Sequence, residues 1–179
     1  APDLSTYDPD TFSTSRLLRV DGTTGIILED AYIPKFAQWN QYHNWDGLKC
    51  TGDRPFHGLH AIATYPDDVY DEILIVGIQS ALYQDGPTPT DFQGSATRIL
   101  YYGINSTNIS STATYLHSYR YDTSQLTLDS FQKGARHFNA LFGILAINKS
   151  SILVAECEDL DGFVIVGHKV VNRIFYVEI

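Results

Sequence analysis

Apolar residues in this chain come in short runs with polar turns between them. The runs are Gly58–Ala63 (GLHAIA), Ile73–Gln79 (ILIVGIQ), Arg98–Ile104 (RILYYGI), Leu141–Ala146 (LFGILA), Ile152–Glu156 (ILVAE) and Arg173–Ile179 (RIFYVEI). Each is rich in Ile, Val, Leu or Tyr and bounded by Pro, Asp, Asn, Gly or Ser, which predicts strands: β-branched and aromatic side chains suit a pleated, half-buried surface. Pro66–Asp68 and Asn148–Ser151 predict hairpin turns, because Asp and Asn side chains hydrogen-bond the backbone just ahead of them. No segment has the spacing of an amphipathic helix of useful length; Ser124–Arg136 comes nearest, as a short helical turn.

The runs repeat. GLHAIA, ILIVGIQ and RILYYGI recur in order as LFGILA, ILVAE and RIFYVEI, so that Ile73 is matched by Ile152 and Arg98 by Arg173. A second pair rhymes as well: Leu17–Leu28 (LLRVDGTTGIIL) resembles His117–Leu128 (HSYRYDTSQLTL), each with an Asp closing one strand before a small polar turn. Self-similarity over a long period is the signature of repeat architectures.

Antiparallel meanders repeated in this way predict an all-β fold of four-stranded β-propeller blades, a ring that needs about four to eight blades to close. The strands amount to half a blade (Arg16–Tyr32), one full blade (Gly58–Leu128) and three strands of another (Leu141–Ile179), about two to two and a half blades in all. Residues 1–179 therefore read as a single partial propeller domain, with an N-terminal extension over 1–15 and a long Trp-rich loop over 33–57. Sheet edges left open at both ends call for a cover, either the remainder of the propeller or a second chain. A small open sandwich is the structural alternative.

Composition narrows the partners. With 44% hydrophobic residues the chain can bury a sizeable core. A net charge of −9 argues against nucleic acid and anionic membrane, which need a basic surface, and no run is long enough to span a bilayer. The absence of Met, even at position 1, is expected of a processed N-terminus such as signal-peptide removal leaves. Three sequons, at Asn105, Asn108 and Asn148, lie in polar turns, as they would in a glycosylated secreted or luminal protein. Cys50 precedes the first strand of one unit and Cys157 follows the second strand of the next, positions on one edge of neighbouring meanders; a disulfide and two unrelated buried thiols are the alternatives.

Gly58–Gly86 (GLHAIATYPDDVYDEILIVGIQSALYQDG) resembles the "esterase-like activity of phytase" family of phytase-like propeller domains, whose pattern here runs GFEGLA, SPDG, a strand, then QSAL and QDG. Asn139–Asp159 is similar to that family's segment ending in LVLERD, Asn172–Ile179 to its KRIYxVDL strand, and Arg16–Leu28 to its RIYRVDPxTG hairpin. The resemblance follows family order along nearly the whole chain and implies a secreted propeller with phosphoester or carboxylic ester hydrolase activity assisted by calcium. Two departures bear on activity: His60 stands where the family has Glu in GFEGLA, and Cys157 follows Glu156 where the family has Arg. A non-catalytic glycosylated module within a larger assembly is the competing expectation.

Sites on a propeller lie at strand ends around its channel. His60, Glu156 and Gln79 are the candidate catalytic residues, and Arg54, His57, Ser80 and Asp159 the candidate ligand-binding residues. Arg supplies a forked anion ligand, His a general acid or base near neutral pH, and carboxylates a hold on Ca²⁺. The bland alternative for each is a strand-end side chain that satisfies backbone groups. His57 and His60 would point to opposite faces of a strand, so no metal site is assigned to them. The acidic turn at Asp67, Asp68, Asp71 and Glu72 and the EDLDG run at Glu158–Gly162 are at most fragments of a calcium loop. Trp39 and Trp45, within WNQYHNW, are candidates for stacking on a sugar or a partner surface. No nucleophile elbow, P-loop, dinucleotide fingerprint or HExxH motif occurs.

Overall fold

The structure is a computed structural model and describes residues 15–38, 40–44, 47–51, 58–86, 94–105, 113–125, 136–161 and 169–179. Among these the chain forms strands β1 (Leu17–Val20), β2 (Ile27–Ala31), β3 (Asn40–Asn44), β4 (Gly47–Thr51), β5 (Leu59–Pro66), β6 (Glu72–Ile78), β7 (Ala96–Ile104), β8 (Thr114–Asp122), β9 (Arg136–Asn148), β10 (Ser151–Asp161) and β11 (Lys169–Glu178), and no helix. All pairing is antiparallel. The sheets are β1-β2, β3-β4, β5-β6-β7-β8 and β11-β10-β9, and no closed ring of sheets is seen among the described residues.

The turn chemistry follows the sequence. Asp21 accepts hydrogen bonds from the backbone N–H groups of Thr23 and Thr24 at 2.9 and 2.7 Å, and Gly25, at φ 71°, supplies the left-handed residue that turns β1 into β2. Asp67 does the same for Val69 and Tyr70 between β5 and β6, and Asn148 accepts from the Ser150 N–H between β9 and β10. These bonds hold the Asp21 and Asp67 carboxyls below the usual carboxylate range.

The four-stranded sheet is the middle layer. One face, Leu74, Val76, Ile78, Leu100 and Tyr102, packs with Ile33 and Ala37 and with the flanking Leu17 and Phe36. The opposite face, Ile73, Ile75, Ile99 and Tyr101, packs with Leu141, Ile152 and Val154 of the three-stranded sheet. β6 is thus covered on both sides, so its residues form a continuous apolar run where β5 alternates buried and exposed positions. Each fully buried Ile or Leu here contributes about 1.5–3 kcal/mol relative to exposure. Gly77 allows the close approach of β9 to β6: a Cβ there would lie 2.5 Å from Leu141 and 2.9 Å from Ile144. The backbone also joins the layers, the Leu141 N–H donating to the Gln79 carbonyl at 2.9 Å.

Three expectations are corrected. The stretch 33–57, read as a loop, contains the β3–β4 hairpin; its Asn, Gln, His and Lys residues hide the alternation that would mark strands. Glu156 does not end its strand but lies in the middle of β10, which continues to Asp161 because Glu156 and Glu158 both turn inward and find partners. The repeat is also displaced by one residue from its apparent alignment. Val76 pairs with Leu100 and Val154 with Phe175, so Leu74, not Ile73, is the counterpart of Ile152, while Arg98 and Arg173 remain equivalent. On a strand one residue is the difference between faces.

Candidate functional site

His60, Gln79, Ser80 and Glu156 are linked through the end of the sheets at which β5 begins and β6 finishes. β5 starts with a bulge: Leu59 pairs with Ile78 and Ala61 with Gly77, leaving His60 as the extra residue. β9 carries the same bulge, with Phe142 extra between Leu141 and Gly143. The repeated irregularity sets the two exposed side chains beside each other, ring centroids 5.1 Å apart. Bulges re-aim side chains in this way at sheet edges and near sites.

Gln79 and Ser80 serve the local backbone. The Gln79 N–H donates to the Gly58 carbonyl and its own carbonyl accepts from Leu141. Ser80 is buried, and its carbonyl lies 3.1 Å from the Thr97 hydroxyl, which also reaches the Ile78 carbonyl at 2.5 Å. The loop that follows, carrying the QDG run, is held by a forked pair: Arg98 Nε and Nη2 donate to Asp85 Oδ2 and Oδ1 at 2.5 and 2.6 Å, with the guanidinium 4.9 Å from the Phe36 ring centroid. Asp85 raises the Arg98 pKa, chiefly through these bonds. The Arg that opens RILYYGI therefore anchors a loop, and the Arg that opens RIFYVEI is likewise paired, with the fully buried Glu158.

Glu156 is 1% exposed, and both of its oxygens are engaged. Oε1 accepts from the Tyr121 hydroxyl at 2.7 Å and the Ser124 N–H at 3.1 Å; Oε2 accepts from Ser124 at 3.0 Å and from Asn139 Nδ2 at 2.7 Å. Asn139 also donates to the Ser124 carbonyl at 3.0 Å. The cluster ties the end of β8 to β9 and β10 across the two sheets. Burial and the carboxylate together push the Tyr121 hydroxyl well above the usual tyrosine range, burial contributing more. A carboxylate so surrounded holds two sheets together and has little capacity left to accept a substrate proton.

Tyr121, Ser124 and Asn139 were not legible as partners of Glu156, because they come from three different strands or strand exits. The one available signal was the Glu156-Cys157-Glu158 alternation, two acids on one face of a strand. Cys157 sits on β10 opposite Ala140 and Asn172; Cys50 lies on β4, its side chain outside the described residues, as is any pairing of the two. Arg54, His57, Trp39, Trp45 and Asn108 also fall outside the described residues, as does the side chain of Asp159. Asn105 and Asn148 are exposed at strand ends. Of the acidic turn, Asp67 caps its hairpin and Asp68 pairs with Lys149. Among the described residues no three His, Cys, Asp or Glu side chains converge as a metal site, and no helix is long and apolar enough to cross a membrane. Compared with family models, curated proteins and solved structures, the chain has no match.

Proposed function

We propose that this chain is a section of a secreted, phytase-like β-propeller and that it works as a non-catalytic structural or binding module within a larger assembly. The stacking supports the propeller: the four-stranded and three-stranded antiparallel sheets follow one another in chain order and face each other through an apolar layer, while Leu17, Ile33 and Ala37 pack on the opposite face of the four-stranded sheet. The exposed sequons Asn105 and Asn148 suit a glycosylated, secreted chain.

The observation that carries the module reading is an inequality between equivalent residues. Ile99 and Tyr101, of RILYYGI, are 3% and 2% exposed beneath the next sheet, while their counterparts Ile174 and Tyr176, of RIFYVEI, are 71% and 58% exposed. Leu145, at 60%, and Ile147, at 49%, extend the same open apolar area along β9. An apolar face of this kind calls for a cover, either the remainder of the propeller or a second chain. Hydrolysis has less to stand on, since Glu156 is committed to Tyr121, Ser124 and Asn139.

Sedimentation velocity on the chain and on an Ile174→Glu/Tyr176→Glu variant tests the reading. The wild type should associate with rising concentration and the variant should stay monomeric, at nearly unchanged stability because both side chains are exposed. A wild type that remains monomeric and hydrolyses p-nitrophenyl phosphate with calcium, losing that activity on His60→Ala, would establish an enzyme instead.

A further inference from the structure

The connections between strands fall at two opposite ends of the sheets. In the antiparallel meander from β5 to β8 the β5–β6 and β7–β8 connections lie at one end and the β6–β7 connection at the other. Glu72, the first residue of β6, pairs with Ile104, the last of β7, so Asn105 stands beside the exit of the β5–β6 turn. The β9–β10 turn joins the same end, because Lys149 Nζ donates to the carboxylate of Asp68 in the β5–β6 turn.

Every sequon of the chain belongs to this end. Asn148 closes β9, Asn105 follows β7, and Asn108 belongs by sequence to the same β7–β8 connection; no N-x-S/T triplet occurs elsewhere in the sequence. Asn105 and Asn148 are exposed. The Asn148 side chain is oriented by its own sequon: Oδ1 accepts from the Ser150 N–H at 2.8 Å and from the Ser150 hydroxyl at 3.0 Å, whereas a glycan attaches through Nδ2. The opposite end holds a different set. Gln79 bonds Gly58 and Leu141 there, His60 lies against Phe142, and Glu156 accepts from Ser124. None of these segments carries a sequon.

We propose that Asn105 and Asn148 carry N-linked glycans that sheathe the end of the sheets holding the β5–β6, β7–β8 and β9–β10 turns, and that the end holding His60, Phe142 and Gln79 is left bare. In the modification the amide Nδ2 attacks the anomeric carbon of a lipid-diphosphate-linked oligosaccharide. The N–C bond forms, the bond from that carbon to the diphosphate oxygen breaks, the lipid diphosphate leaves, and the amide nitrogen gives up one proton. An N-linked glycan is bulky and hydrated, so it covers a short turn together with its flanks. The inference rests on the secreted reading and adds to it which end of the module stays open to contact.

Peptide N-glycosidase in heavy-oxygen water, which leaves an isotope label at each occupied position, tests occupancy on the chain isolated from its source. Peptide mass spectrometry should find the label at Asn105 and at Asn148. Shielding is read on the same protein before and after the glycans are removed, so no substitution disturbs folding. Acylation of the exposed Lys149 by a succinimidyl ester should become several-fold faster, while carbethoxylation of the exposed His60 should keep its rate. A label missing from Asn105 or Asn148, a Lys149 rate indifferent to glycan removal, or a His60 rate that rises with it overturns the proposal. Location separates the two readings: a chain recovered from the medium or a lumen without glycans removes this inference alone, whereas a cytosolic chain removes the secreted reading as well.

Discussion

Removing the Glu156 carboxylate should unlock the joint between the middle and three-stranded sheets. Glu156→Ala takes away the acceptor for the Tyr121 hydroxyl, the Ser124 N–H and Asn139 Nδ2, all within 2.7–3.1 Å, and leaves these donors at a site where Glu156 itself is 1% exposed. Hydrogen bonds to a charged group contribute about 1.5–3 kcal/mol each, but they are not additive when shared by one carboxylate whose burial has its own cost, so the net loss should be about 4 kcal/mol. For a chain of this length that corresponds to a fall in Tm of about 8–16 °C. Urea denaturation followed by tryptophan fluorescence and circular dichroism measures it. Tyr121→Phe, which deletes one donor and retains the ring, should cost about 2 kcal/mol, and the double variant should cost less than the two single losses together because both act through one bond. A Glu156→Ala protein within about 1 kcal/mol of wild type would refute the argument, since no buried carboxylate with three protein donors can be removed at the cost of a surface substitution. Strict additivity with Tyr121→Phe would refute the pairing specifically.

Burial raises the pKa of Tyr101, Tyr102 and Tyr121 above the ordinary value of 10.0. At higher pH the unfolded chain loses these protons first and binds fewer than the folded one, so stability is intact below pH 10 and should fall above it by about 1.4 kcal/mol per pH unit for each tyrosine, measurable by urea melts across that range. Tyr102→Phe should remove one such slope and, because the Tyr102 hydroxyl has no partner among the described residues, should leave stability at pH 7 unchanged or raise it by about 1 kcal/mol. Asp85→Ala should cost about 3 kcal/mol by leaving the Arg98 guanidinium half-buried without its carboxylate, and proteolysis should then begin in the loop after β6. Gly94→Ala places a Cβ 1.5 Å from the Thr123 carbonyl oxygen, a backbone atom that cannot swing aside, and should destabilise by about 3 kcal/mol in thermal melts.

Local information was sufficient for much of the fold. The apolar runs and their Asp, Asn and Gly punctuation located the strands of the middle and three-stranded sheets and the turns at Asp21, Asp67 and Asn148, because strand preference and hairpin closure depend on neighbours a few residues away. The internal repeat was equally legible, and the equivalence of Arg98 and Arg173 holds in the structure. The β3–β4 hairpin was not, since polar side chains mask its alternation.

Whatever depends on the face of a strand had to await the tertiary structure. The repeat's true register, the paired bulges that bring His60 to Phe142, and the inward turn of Glu156 each hinge on a shift of one residue, which similarity of composition does not resolve. The partners of Glu156 come from β8, its exit and β9, tens of residues away or separated by a turn, so only the meeting of two sheets could reveal that a candidate catalytic acid is a structural joint. The sequence determined most of the strands, β3 and β4 excepted, and that they repeat; packing between sheets decided the register of that repeat and which of its copies are covered among the described residues, as Ile99 and Tyr101 are and Ile174 and Tyr176 are not.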